Sequence, residues 1–233
     1  MVKRKTAIWI RKSHRYLGVF LGVQFLMWTI SGLYFSWTDI DEIHGDHFKK
    51  EVELSTHVNL MGLDSISSEW KINSLELRTI VDQPYYWIND SILVHAISGK
   101  IKSETTKDEA LKIASGYMLE TLKVRSIDRI TSTGKHHEYR GRKLPAYMIS
   151  YEHPEEVKAY ISLKDGKFQR VRHRSWRWFD FLWMTHTMDY EGRDDFNTLI
   201  LRIFSLLGLI TVLSGFVLWY ISSPTVRKIF KKQ

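Results

Sequence analysis

The sequence predicts an α+β membrane protein in which two transmembrane helices flank a folded domain of helix plus antiparallel sheet. Three observations carry this. Two long uncharged runs, Tyr16 to Thr38 and Ile203 to Val226, stand near the ends of the 233-residue chain. Basic residues cluster outside both runs. The stretch between them alternates apolar and polar residues at strand spacing and contains one amphipathic helix pattern. A hydrophobic content of 44 % would also suit one soluble domain, but the apolar residues crowd toward the two ends, so a uniform core is not the first reading.

The formal net charge of +8 is local. Residues 1–15 hold six Lys/Arg (Lys3, Arg4, Lys5, Arg11, Lys12, Arg15), residues 222–233 hold four, and neither segment has an acid. The remainder has 24 basic against 26 acidic residues. Basic flanks on apolar spans are what the positive-inside rule produces, so membrane lipid rather than nucleic acid is the expected partner of this charge. With no cysteine, the chain has no disulfide, no thiolate metal site and no covalent haem attachment; any metal uses His, carboxylate or Met.

Taken in order, the basic tail 1–15 mixes its cations with Ile8, Trp9 and Ile10, a composition suited to lying on the inner leaflet. The first span, 16–38, is too long for the apolar region of a cleaved signal, and no small-x-small site follows it; an uncleaved anchor is expected. Gln24, Thr29 and Ser31 are its main polar interruptions, and Gly18 with Gly22 offers a close-packing face, as do Thr211 and Gly215 in the second span. Residues 39–195 are far too long for a loop and should fold as a domain with juxtamembrane segments. Strand patterns fall at Ser74 to Val81, Tyr85 to Ile88, Ile92 to Ile97, Val124 to Ile130, Ala146 to Tyr151, Val157 to Leu163 and Phe168 to Val171. A Thr-x-x-Glu capping box at Thr106 and Glu109 opens a helix with Ala110, Ile113, Ala114, Tyr117 and Met118 on one face. Val94 to Ile101 and Ile161 to Phe168 share a strand, a Gly-Lys turn and a following apolar residue, a short sign of two related half-units. The second span, 196–223, makes roughly 28 Å of helix from Ile203 to Ile221 alone, with Trp219 and Tyr220 as interfacial anchors. Pro224 opens the second basic tail, 224–233.

The first span, HRYLGVFLGVQFLMWTISGLYF, resembles the opening helix of the PepSY-associated transmembrane family. The helix, three strands and KDGK turn at 106–171 match the same family in order, as does the stretch from THTMDYEG to SGFVLW. The resemblance implies a bacterial inner-membrane protein with both termini cytoplasmic and a periplasmic PepSY-like domain. Members are often linked to iron uptake, and some are haem-containing reductases that release iron from siderophores. The larger reductase-like members have four or more spans, whereas this chain has two. PepSY domains elsewhere act as inhibitory or chaperone-like modules of secreted peptidases, which implies a different function.

Histidines are the candidate ligands. His14 lies at the inner end of the first span and His186 just before the second, at the outer side; with about 35 Å of helix from His14 to Trp37, the two cannot share one metal within a chain. His44 and His47, in IHGDH directly after the first span, are the better partners for His186, in a slot edged by Trp28, Phe35, Trp37, Trp178 and Trp183. A b-type haem needs axial ligands on opposite faces of an apolar slot. His44, His47, His186, Asp46 and Asp189 equally suit a free divalent ion. The plain alternative makes them ordinary caps and interface residues, with His14 against lipid phosphate unless a second copy supplies a partner. His136 and His137, among Lys135, Arg140, Arg142 and Lys143, form a basic loop suited to an anionic ligand or simply to solvent. His57, His95, His153 and His173 are isolated and carry no assigned role. No Gly-x-Ser-x-Gly elbow, HExxH or phosphate-cradling glycine loop occurs, so nucleophilic catalysis has no support.

Two functions follow. The first is a two-span membrane protein that binds haem or iron near the outer face and serves electron transfer or iron acquisition, as a homo-oligomer or a subunit of a larger complex. The alternative is a non-catalytic interaction or regulatory subunit. Whether the chain is a reductase component or no enzyme at all is left open by the residues.

Overall fold

A computed structural model describes residues 4–53, 55–67 and 71–223. Lys3, Glu69 of the polar connector and the basic segment 224–233 with Pro224 lie outside the described residues. Chain contacts divide the protein into two compact units, one built on the terminal helices and residues from Asp180 onward, the other spanning Thr38–Phe179.

In the helical unit, α1 (Arg4–Trp37) is a single helix that runs through the expected tail and span without a break. Lys, Arg, Ala and Ile are acceptable helix residues, and neither Pro nor Gly occurs before Gly18. At 34 residues it is about 51 Å long, well beyond a hydrocarbon core of about 30 Å. The last helix, α6 (Leu199–Ser222), starts where Thr198 accepts a hydrogen bond from the Leu201 amide at 3.2 Å. Both are long and apolar enough to cross a membrane.

They pack along a seam of small side chains. Gly208 and Thr211 of α6 are buried, as are Leu21 and Ser31 of α1, and Phe20 stacks on Phe204 at 5.7 Å between centroids. A Cβ added at Gly208 would stand 3.2 Å from the Phe25 ring, and one at Gly215 would stand 3.3 Å from His14 Cε1. Thus the small-residue pattern of the second span forms the close approach. Gly18 and Gly22 take no part in it, since added Cβ atoms there would meet nothing within 4 Å.

The central unit opens with α2 (Ile40–His44), capped by Asp39, whose carboxylate accepts from the Asp41 amide at 2.9 Å. Gly45 ends it with φ of 78° and leads into a 3-10 turn, Asp46–Phe48. A short α3 (Leu63–Ser67) follows. Two four-stranded antiparallel meanders then form in sequence order. The first comprises β1 (Leu75–Ile80), β2 (Gln83–Ile88), β3 (Ile92–His95) and β4 (Ile101–Lys102). The second comprises β5 (Val124–Ile130), β6 (Ala146–Tyr151), β7 (Lys158–Ser162) and β8 (Phe168–Arg172). Between them lies α4 (Lys107–Tyr117), whose capping box is complete: Thr106 Oγ1 accepts from the Glu109 amide, and the Glu109 carboxylate accepts from the Thr106 amide at 2.8 Å.

Alternation sets the faces. Trp87 and Leu93 of the first sheet join Ile149, Ala159, Ile161 and Val171 of the second, with Ala110, Ile113 and Ala114 of α4, in one core. Neighbouring residues Tyr86, Ile88 and Val94 turn to the opposite face and pack on Ile66. Arg78 of β1 meets Asp165 of the β7–β8 turn at 2.6 Å, a pair almost wholly removed from solvent that ties the two meanders together. The segments Val94 to Ile101 and Ile161 to Phe168 occupy the same place in each sheet, the hairpin from third to fourth strand.

The aromatic-rich run before the second span forms a helix, α5 (Arg174–Thr187), which begins in the central unit and ends in the helical one. Its first turn is anchored in the central unit: the Arg172 guanidinium lies 3.8 Å from the Trp176 ring centroid, and Arg177 Nε donates to Glu138 at 2.7 Å. Burial raises the Glu138 carboxyl, but the hydrogen bonds from Arg177 and Tyr160 and the Lys158 charge outweigh it and hold the group below the ordinary carboxylate range.

Candidate functional site

In the helical unit, the C-terminal half of α5 meets α1. The last carbonyls of any α-helix lack partners within the helix, and in an apolar surrounding each open one is costly. Here Gln24 Nε2 donates to the Thr185 carbonyl at 3.1 Å and Trp28 Nε1 to the His186 carbonyl at 2.8 Å. The polar interruption at Gln24 is therefore a helix cap supplied by a neighbouring helix.

The same contact fixes the His186 ring. Ser31 Oγ lies 2.7 Å from His186 Nδ1 and also 2.7 Å from the Met27 carbonyl. A hydroxyl has one proton, and the carbonyl can only accept, so that proton goes to Met27. Nδ1 of His186 must then carry hydrogen and donate to Ser31, which leaves the lone pair on Nε2. Phe35 stands edge-on at 5.6 Å from the imidazole, and Trp183 packs on Phe35 at 5.7 Å. Burial pushes the His186 pKa below its ordinary value, favouring the neutral ring.

His14 repeats the arrangement at the other end of α1. Its Nδ1 lies 2.7 Å from Ser214 Oγ, which donates to the Thr211 carbonyl at 2.7 Å. The ring is again the donor and Nε2 again keeps its lone pair. His14 is thus held by α6, and is more than the lipid-facing interface residue expected from sequence. His14 and Ser31 are 17 positions apart on α1, about 25 Å, so the two histidines stand at separate places.

The other expected ligands have different settings. Asp189 is buried, and its carboxylate accepts from the amides of Glu191, Gly192, Asp194 and Asp195 at 2.9 to 3.2 Å. Burial raises this carboxyl, but the four amides prevail and keep its pKa low. It organises the loop between α5 and α6. Asp46 is paired to Lys49 at 2.6 Å, which holds its pKa down. His44 and His47 belong to the central unit, where the His47 ring packs 3.9 Å from Phe48. Of the aromatics expected around a slot, Trp28, Phe35 and Trp183 gather at His186, while Trp37 is 85 % exposed and Trp178 belongs to the central unit. Among the described residues, no three or more His, Asp and Glu side chains gather as a metal-holding group.

His173, read from sequence as isolated, is wholly buried. Its Nε2 donates to the Ile43 carbonyl at 3.1 Å, its Nδ1 faces Glu155 at 3.7 Å, and the His47 ring stands 5.3 Å away. No spacing rule picks out such a residue, because its partners come from distant parts of the chain.

The sequence model of the family described as the PepSY-associated TM region matches residues 2–222. The chain belongs to this family. No curated protein and no solved structure matches it. This PepSY-associated protein is a membrane protein with an α+β fold, its two apolar helices flanking the paired antiparallel sheets. Of the hydroxyls that orient the two histidines, Ser31 was legible only as a polar interruption of the first span, and sequence reasoning missed Ser214.

Proposed function

We propose that this PepSY-type protein binds haem or iron near the outer membrane face through His186 and serves electron transfer or iron acquisition. The observation that carries the reading is the Ser31–His186 hydrogen bond. A metal-ligating histidine characteristically donates its other ring N–H to a fixed acceptor, and His186 does this with Nε2 left as the ligand atom. Phe35 and Trp183 supply the apolar surround that a b-type haem requires. Haem would supply a one-electron iron couple; the chain's part is to present a neutral imidazole in one orientation. We assign the protein to a bacterial inner membrane, with basic tails in the cytoplasm and the central unit in the periplasm, because the cations flank the spans at the chain ends.

Purified protein should show a Soret band that disappears in His186→Ala, with His44→Ala and His47→Ala reporting which residue provides a second ligand. Colourless, metal-free protein that co-purifies with another protein would overturn the haem reading in favour of the interaction subunit. A fluorescent reporter that matures only in the cytoplasm should glow after Gln233 and stay dark near Gly134. A bright internal fusion would overturn the orientation.

A further inference from the structure

The geometry points to a specific anionic-phospholipid site in the cleft between α1 and α6, at the end nearer the α1 N-terminus. The cleft has a volume of about 670 Å³ and is walled by Trp9, Tyr16, Leu17 and Phe20 of α1 with Ile210 and Val217 of α6. Its walls are almost entirely apolar, and Trp9, Phe20 and Val217 are 68 %, 62 % and 42 % exposed, so an acyl chain would cover them.

Charge selects the lipid. Arg15 and Lys12 stand 5.6 and 6.0 Å from the Tyr16 ring centroid, placing two cations beside the same cleft wall. Neither α1 nor α6 contains a single Asp or Glu, so these helices offer the two cations no carboxylate. Arg11 instead donates to the Ser222 hydroxyl at 3.4 Å. Cations at the rim of an apolar cleft draw a counter-charge from outside the chain, and a membrane supplies phosphate joined to acyl chain in one molecule. Free phosphate would satisfy Lys12 and Arg15 but leave the cleft walls bare. A zwitterionic lipid would fill the cleft with its acyl chain but carry its own cation to the rim. A phosphatidylglycerol-type lipid satisfies both demands: phosphate between Lys12 and Arg15, one chain along Leu17, Phe20 and Ile210.

The test uses the full chain in nanodiscs of mixed phosphatidylglycerol and phosphatidylcholine, released into mild detergent and weighed by native mass spectrometry. Wild type should retain phosphatidylglycerol over phosphatidylcholine, and millimolar inorganic phosphate should not displace it. The Lys12→Gln/Arg15→Gln variant should lose about tenfold of that preference. Val217→Trp, which fills the cleft and leaves every charge in place, should lower retention as well. Equal retention of the two lipids by wild type, or wild-type retention by either variant, overturns the site. Displacement by inorganic phosphate would overturn the acyl-chain part. Unchanged thermal melting of each variant establishes that the loss is of lipid and not of fold.

Discussion

Ser31 accepts the Nδ1–H of His186 at 2.7 Å while giving its own proton to the Met27 carbonyl, so one hydroxyl in a membrane helix decides which nitrogen of a histidine on another helix is free. Ser31→Ala removes the acceptor and lets the imidazole rotate and change tautomer. On the proposed haem reading, haem affinity, measured by titrating the purified protein and following the Soret band, should fall about 10- to 100-fold, the usual cost of losing the group that would orient a ligating histidine. Ser31→Thr, which keeps the hydroxyl, should retain most of it.

Gln24 caps the end of α5 through the Thr185 carbonyl. Gln24→Leu keeps the volume and removes the donor, stranding that carbonyl in an apolar surround at a cost of about 1–3 kcal/mol. The thermal midpoint of the protein in detergent should drop accordingly, while Gln24→Asn should fall in between because its shorter arm reaches less far.

Gly45 combines a left-handed φ of 78° with a position where a Cβ would stand 2.9 Å from Val171 Cγ1 and 3.0 Å from its Cβ. Gly45→Ala therefore meets both backbone strain and a β-branched side chain fixed in β8, and should destabilise the central unit by about 2 kcal/mol. Adding Val171→Ala removes the Cγ1 contact but keeps the Cβ contact and the strain and opens the core, so the double variant should lose less than the sum of the two single losses in the same melting experiment.

His173 gives the central unit a dependence on pH. Burial lowers its pKa from the ordinary 6.5, with the nearby His47 charge acting the same way and the Ile43 carbonyl and Glu155 opposing. The unfolded chain then binds a proton more readily than the folded one, so stability is complete above about pH 6.5 and is lost as pH falls below it. Melting temperatures taken from pH 7.5 to 5.0 should decline in wild type and decline less in His173→Gln, with the difference opening below pH 6.5.

Much of the architecture is legible from residue order alone. Uncharged runs longer than a bilayer is thick, flanked by cations, place the two spans; period-two alternation places seven of the strands; Thr106 and Glu109 place the start of α4 because a capping box is satisfied within four residues. Each of these depends on neighbours in sequence. α5 escaped because its aromatic-rich run, RSWRWFDFLWMTHT, has the composition of an interfacial belt, and what holds it as a helix is distant: Arg172 under Trp176, Glu138 at Arg177, and Gln24 and Trp28 at its last carbonyls.

The candidate site divides in the same way. Sequence named His14 and His186 and kept them apart, since a helix rises by a fixed amount per residue and the count between them is fixed. It also grouped Asp46 and Asp189 with the histidines as ligands, because composition records that a carboxylate is present and not what already occupies it. Tertiary structure decided that Asp189 is saturated by four amides, that Asp46 is held by Lys49, and that Ser31 and Ser214 each leave a histidine Nε2 free. Hydrogen bonds between residues more than 150 positions apart set those protonation states, and only the packing of α1 against α5 and α6 brings their partners within reach.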